Sequence, residues 1–324
     1  MLKKARTILA AGLVLAASSA AQAADTVTLL FSAPHTVPAF IALHLAKHNG
    51  YFAAEGLDVK FQTGKGGADT AKQVAVGNVE FGIGFADAVI LVRGNGLPVR
   101  IVTLLGQGSI SQLIVRKDSK ITSFADLKGK NVGVGSFTST NYFALLGALA
   151  TAGISKTELN IQSVGVAGTF QLMANGNLPA IVEALEKYDE LRAAGIEVEN
   201  YPISEIFPAL AQGIYASDEM VTKNPKLVAR FVRAVNKAVN SIVENPEQAM
   251  KDYIAAMPQF AGKEDLYRGI IRRYVDLVFK PKGYTGSISQ SNPERLARVQ
   301  DFYLKNGIIT QSVDVGDLYT NQFE

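Results

Sequence analysis

The residues able to do chemistry gather in four short segments, each placed where an apolar run ends. The first, Ser32-Ala33-Pro34-His35-Thr36-Val37-Pro38, holds short polar side chains in a proline-stiffened loop. These suit a ligand's hydrogen-bonding groups, and equally a plain helix cap and turn. The second is Gly64-Lys65-Gly66-Gly67, where missing side chains let backbone N–H groups approach a ligand, or simply allow a flexible turn. It lacks the G-x-x-x-x-G-K-S/T spacing of a phosphate loop. The third, Gly135-Ser136-Phe137-Thr138-Ser139-Thr140-Asn141, offers four hydroxyls and an amide at the start of an apolar helix. One or two of these residues must cap that helix, and the surplus of donors and acceptors points to a ligand. The fourth pairs Phe85-Ala86-Asp87 with Glu183. Asp87 reads as a cap or a site residue, and Glu183, set in an apolar run, demands a partner if buried.

Catalytic templates find no match. His35, His44 and His48 are the only histidines, and the last two stand four apart without the H-E-x-x-H pattern of a metal site. There is no G-x-S-x-G elbow and no S-x-x-K motif at a believable strand-to-helix turn. No nucleophile stands with a base. The expectation is a chain with no catalytic residues, no metal and no cofactor.

The elements that must position these segments alternate. Thr26 to Phe31 reads as a strand, Ala39 to Asn49 as a helix stopped by Gly50, and Leu57 to Phe61 as a second strand. Ala68 to Val76 is helical, Glu80 to Phe85 a strand, Ala88 to Arg93 a helix and Val99 to Leu105 a strand. A second unit of the same kind follows. It has strands at Leu113 to Arg116, Asn131 to Gly135, Ile161 to Val166 and Ala180 to Glu183. Ser123 caps the turn Phe124 to Leu127, and helices run over Thr140 to Ala152, ended by Gly153, and Phe170 to Ala174. After a strand at Gly213 to Ala216 the pattern becomes helical: Pro225 to Glu244, Pro246 to Ala256, Lys263 to Phe279 and Pro293 to Asn306, most with proline at the first position. This predicts an α/β fold with open sheets, whose ligands sit at the carboxyl ends of strands and over helix N-termini.

The ends and the composition narrow the setting. Lys3, Lys4 and Arg6, the apolar run Ile8 to Ala17 and the small-residue site Ala21-Gln22-Ala23 have the order of a cleavable secretory signal peptide over residues 1–23. An apolar run of about ten residues is half of what a membrane span needs. The leader holds three of the 32 basic residues and none of the 29 acidic ones, so the rest of the chain is charge-balanced. That balance gives no support for nucleic-acid or membrane-surface partners. There is no cysteine, hence no disulfide, no thiol chemistry and no acylated anchor.

Several stretches resemble a known family: Ala42 to Asp58 (ALHLAKHNGYFAAEGLD), Gly77 to Phe81 with Gly84 (GNVEFGIG), Asp126 to Gly135 (DLKGKNVGVG), Asn224-Pro225 before a long helix, and Tyr319 to Phe323 at the end. In these the chain resembles the periplasmic substrate-binding proteins of nitrate, sulfonate and taurine ABC importers, relatives of pyrimidine-precursor-binding proteins. The resemblance implies a two-lobed type II binding fold, each lobe a mixed, mainly parallel sheet flanked by helices, with two hinge crossings. Lobe one would take residues 24–112 and 207–324, lobe two 113–206. It implies a periplasmic monomer that encloses a small ligand between the lobes and delivers it to a membrane permease. The family's binding loops carry over onto His35, Thr36, Gly66, Gly67, Phe85, Asp87, Ser109, Ser111, Ser139, Thr140, Asn141 and Glu183.

Two departures matter. Residues 32–38 lack the T-N-H-T-like run associated with the pyrimidine-binding branch, which weighs against a thiamine-precursor ligand. The related fungal enzyme that builds this pyrimidine relies on a cysteine cluster, absent here. An exported α/β hydrolase stays as the reading of another class. For the ligand, the hydroxyl-rich 135–141 segment favours a sulfonate- or carboxylate-like organic anion, which is the expected ligand; the alternative, suited to Asp87 and Glu183, is an amine or a neutral or cationic heterocycle such as a pyrimidine.

Overall fold

The structure is a computed structural model that describes residues 23–324; the expected signal peptide therefore lies, Ala23 apart, outside the described residues. Ten strands form two five-stranded sheets. The first holds β1 (Asp25–Phe31), β2 (Leu57–Thr63), β3 (Phe81–Phe85), β4 (Val99–Leu104) and β10 (Gln212–Ser217), in the order β2-β1-β3-β10-β4. The second holds β5 (Ser111–Arg116), β6 (Asn131–Val134), β7 (Asn160–Ser163), β8 (Ala180–Ala184) and β9 (Val198–Pro202), in the order β7-β6-β8-β5-β9. Both sheets are mixed: β1 runs parallel to β2 and β3, and β6 to β7 and β8, while β10 and β5 run against both of their neighbours.

The chain changes sheet twice, through residues 105–110 and back through 203–211. The expected boundary at 112/113 thus falls inside β5, a few residues past the first crossing. On its return the chain enters the first sheet between β3 and the edge strand β4, and sets Gln212 opposite Phe85. Arg295 ties the two crossings together by donating to the Gln107 and Ala209 carbonyls.

Local chemistry explains the placement of β3. Its sequence, FGIGF, alternates glycine with large apolar residues, and the glycines leave room for Tyr215 of β10. A Cβ at Gly82 would stand 2.8 Å from Thr70 and 3.1 Å from the Tyr215 ring; one at Gly84 would meet the Tyr215 hydroxyl at 2.6 Å and Ser32 at 2.8 Å. The buried Tyr215 hydroxyl donates to the Phe85 carbonyl at 2.6 Å, which fixes the strand end that carries Phe85.

The helical tail covers the first sheet. Helix Pro225–Glu244 buries Val228, Phe231, Val232, Val235, Val239 and Ile242, a stripe at helical spacing, and Phe231 stacks on Phe81 of β3 with ring centroids 4.0 Å apart. Truncating such a fully buried ring to alanine costs about 3–5 kcal/mol. Another apolar cluster joins the sheets, running from Ile101 through Phe207 and Leu210 of the return crossing to Leu113 and Val132.

Two elements escape the apolar pattern. Helix Glu186–Ala193 buries Glu186 and Lys187 beside Leu191, so its inward face is ionic and carries little hydrophobic period. Edge strand β9 ends in proline. The strand expected over Ile161 to Val166 stops at Ser163, because Gly165 adopts a φ of 75° and opens the helix Gly165–Ala174. The single helix expected over Lys263 to Phe279 is α-helical over Glu264–Tyr274 and widens to a π-turn over Val275–Phe279.

Candidate ligand-binding site

Because β1, β2 and β3 are parallel, their carboxyl ends share one edge of the first sheet; β6 and β8 do the same for the second. The two edges face each other across a cavity of about 260 Å³. The first sheet contributes Ser32, Ala33 and Pro34 after β1, residues 64–67 after β2, Phe85 and Gln212. The second contributes Gly135, Ser136 and Ser139 to Asn141 after β6, Val166, and Glu183, Ala184, Glu186 and Lys187 at and after β8. Ile110 of the first crossing also lines it.

Of the residues expected from the sequence, Gly66, Gly67, Phe85, Ser139, Thr140, Asn141 and Glu183 line this cavity together. Ser111 stands behind them: its hydroxyl donates to the Asn141 amide oxygen at 2.7 Å, and the Ser109 hydroxyl accepts from the Ser111 N–H. His35 and Thr36 turn away from the cavity. The His35 ring packs among Phe31, His44 and Phe61, its carbonyl bonds the His44 ring, and the Thr36 carbonyl accepts from Tyr253. Burial holds the His44 imidazole below its usual range. Asp87 also lies outside the lining. It is buried, accepts from the Leu210 N–H at 2.9 Å and from the Tyr303 hydroxyl at 3.0 Å, and so ties the return crossing to the first sheet and the C-terminal helix. Burial still pushes its carboxyl upward against those two donors.

The hydroxyl-rich segment divides its work. Ser139 is the N-cap of helix Thr140–Thr151: its hydroxyl accepts from the Tyr142 N–H at 3.2 Å and donates to the Ser136 carbonyl at 2.8 Å. Thr138 reaches across to the opposite loop, donating to the Lys65 carbonyl at 2.5 Å. The surplus over a cap is therefore real but is spent partly on the other sheet's loop. The same contact explains Gly66, whose φ of 115° suits glycine and where a Cβ would stand 2.5 Å from the Thr138 hydroxyl.

Glu183 is the electrostatic centre. Asn141 donates to one of its oxygens at 3.4 Å; the other, Oε1, is buried with no hydrogen-bond partner among the described residues. The neighbouring Thr169 hydroxyl spends its proton on the Val166 carbonyl at 2.7 Å. Burial pushes the Glu183 carboxyl up to about 7, with the Lys187 charge opposing and the Glu186 charge adding. Glu186 is also pushed to about 7, by burial and by Glu190, although its carboxylate accepts from the Tyr274 hydroxyl at 2.5 Å. Burial works against the Lys187 ammonium, but Glu190, at 2.5 Å, with Glu183 and Glu186 keeps it charged. The Gln212 side-chain oxygen is a second buried acceptor without a partner among the described residues.

Sequence reasoning passed over Glu186, Lys187 and Gln212. The first two sit in a charged helix with no apolar stripe to mark its inward face; Gln212 opens a strand whose entry into the first sheet comes from the long return crossing. The available signal was the spacing from Glu183, which places Glu186 and Lys187 one turn beyond a strand end. Among the described residues, no group of three or more His, Cys, Asp or Glu side chains is arranged to hold a metal ion, and no helix is long and apolar enough to cross a membrane.

Two mixed sheets joined by two crossings, with a small-molecule cavity between their strand ends, define the periplasmic-binding-protein fold. The alkanesulfonate-binding protein SsuA from Xanthomonas axonopodis pv. citri, solved bound to MOPS, superposes with a TM-score of 0.72 at 15% identity, over 91% of this chain and 98% of that one. The chain belongs to the NMT1/THI5-like family, whose model matches residues 37–249. Its relatives include the riboflavin-binding protein RibY of Chloroflexus aurantiacus, 27% identical over 88% of this chain and 82% of RibY. The formylaminopyrimidine-binding protein of Halalkalibacterium halodurans is 28% identical over 71% of this chain and 70% of its own. Yeast relatives, 27% identical over 72% of this chain and 72% of their own, are named 4-amino-5-hydroxymethyl-2-methylpyrimidine phosphate synthases.

Proposed function

We propose that this chain is the periplasmic solute-binding component of an ABC importer, a monomer that captures a small heterocycle bearing N–H donors and hands it to a membrane permease. The observation that carries the ligand class is the pair of buried acceptors, Glu183 Oε1 and the Gln212 amide oxygen, which belong to cavity-lining residues and lack donors among the described residues. An unsatisfied buried polar atom costs about 1–3 kcal/mol, so a ligand that supplies N–H groups to both recovers that cost on binding. A sulfonate or carboxylate would instead bring negative charge beside Glu183 and Glu186, with the one buried ammonium, Lys187, already held by Glu190. The acceptors thus favour the alternative heterocycle over the organic anion expected from the sequence. Relatives named for riboflavin and formylaminopyrimidine, both nitrogen heterocycles, support the same choice. Phe85 and Phe40 on the cavity wall offer apolar surface to a ring.

The synthase relatives raise an enzymatic alternative. No cysteine is present and no nucleophile with its base lines the cavity, and capture followed by release is the reading adopted. The halves built on the two sheets, divided at the crossings 105–110 and 203–211, then act as two lobes that part to admit the ligand. Native mass spectrometry of the protein purified from a periplasmic extract tests the assignment. A retained mass matching a nitrogen heterocycle is the expected result; a retained sulfonate or organic acid would overturn the ligand class.

A further inference from the structure

We propose that Thr138 is a clasp residue that sets how long the cleft stays closed without itself touching the ligand. This rests on the reading of the cavity as a ligand site that opens and closes. Thr138 follows β6 in the second sheet's half and is exposed, outside the cavity lining. Its hydroxyl nevertheless donates to the Lys65 carbonyl at 2.5 Å, and its own carbonyl accepts from the Ala68 N–H at 3.3 Å. Both partners belong to the loop and helix start after β2 in the first sheet's half. Two direct hydrogen bonds therefore join the loop after β6 to the loop after β2.

The opposite loop is shaped for this contact. A Cβ at Gly66 would stand 2.5 Å from the Thr138 hydroxyl and 2.9 Å from its carbonyl oxygen, and one at Gly67 would meet the Thr140 methyl at 3.1 Å. A side chain at Gly66 would push the Thr138 backbone away, and one at Gly67 would crowd Thr140. The paired glycines thus admit the second loop's backbone, and neither bond of the clasp requires a ligand atom. A ligand's residence time then depends on a bond that it does not make.

Spin labels on Lys72→Cys and Lys156→Cys, exposed residues in the two halves, report the closure directly, because the chain has no cysteine of its own. Double electron–electron resonance on the ligand-free protein should show a short-distance population. Thr138→Val, which keeps the shape and removes the hydroxyl, should lower the ratio of short to long distances by roughly two- to tenfold, the usual effect of one net hydrogen bond. Gly66→Ala should abolish the short population, with circular dichroism confirming that the variant is folded. Distance distributions unchanged in both variants, or a wild type with no short population, would refute the clasp. The same labels with added riboflavin or 4-amino-5-hydroxymethyl-2-methylpyrimidine separate the two ideas: failure of either solute to raise the short population counts against the proposed ligand, while the ligand-free ratios still decide the clasp.

Discussion

Asn141 donates to one oxygen of Glu183 at 3.4 Å, and the other oxygen is buried without a donor among the described residues. The Asn141 amide is itself fixed by the Ser111 hydroxyl at 2.7 Å, so the carboxylate is aimed by a relay of two side chains. Preorganisation of this kind lowers the cost of ordering a site when the ligand arrives. Removing the aim should be nearly as damaging as removing the charge. Asn141→Ala is expected to weaken ligand binding by roughly tenfold, the scale of one hydrogen bond to a charged group, in a calorimetric titration. An unchanged affinity would show that Glu183 needs no guide.

Protonation should also be visible in stability. Glu183 and Glu186 both titrate near 7 in the folded chain and at 4.5 when unperturbed. Their folded pKa values are raised, so the folded state binds protons more tightly; stability is fully present below about 4.5 and is lost as pH rises through about 7. Each group contributes a slope of up to about 1.4 kcal/mol per pH unit within that window. Urea unfolding at a series of pH values should show Glu183→Gln flattening the decline, and a parallel wild-type curve would mean that the carboxyl is not buried as described.

Ser139 and Thr140, adjacent in sequence, should separate by readout. Ser139→Ala removes the N-cap of helix Thr140–Thr151 and is expected to cost about 1 kcal/mol of stability. Thr140→Ala leaves the cap intact and should act on affinity. Thermal melts paired with ligand titrations distinguish them; identical effects on both measurements would dissolve the distinction.

The glycine pattern of β3 carries a steric prediction. Gly84→Ala would press a methyl group within 2.6 Å of the Tyr215 hydroxyl and 2.8 Å of Ser32, and overpacking of this degree costs typically about 1–3 kcal/mol. Tyr215→Phe in the same background should restore part of the loss by removing the obstructing oxygen, although it gives up the bond to Phe85. Chemical denaturation of the single and double variants measures the coupling, and strict additivity would mean that the two residues do not meet.

Much of this architecture is written locally. Helix Pro225–Glu244 announces itself by a proline at its first position and an apolar stripe with helical spacing, and the glycine-flanked strands of the first half are bounded by turn residues. The site is only partly legible. Glu183 stood out because a carboxylate in an apolar run needs a reason. Asp87 carried the same kind of signal and proved to anchor the return crossing through Leu210 and Tyr303, residues more than a hundred positions away. Lys187 and Glu186 were hidden because a helix that buries charge against charge looks, in one dimension, like a helix that faces water. Gln212 depends on the return crossing, and no local pattern shows which strands it will separate.

The central claim is that Glu183 selects a ligand by accepting its N–H donors. Isothermal titration of wild type and Glu183→Gln with riboflavin, 4-amino-5-hydroxymethyl-2-methylpyrimidine and an alkanesulfonate tests it most directly. The expected result is binding of a heterocycle near micromolar affinity, about −8 kcal/mol, weakened at least tenfold by the substitution, with no heat from the sulfonate. Tight sulfonate binding that survives Glu183→Gln would contradict the account.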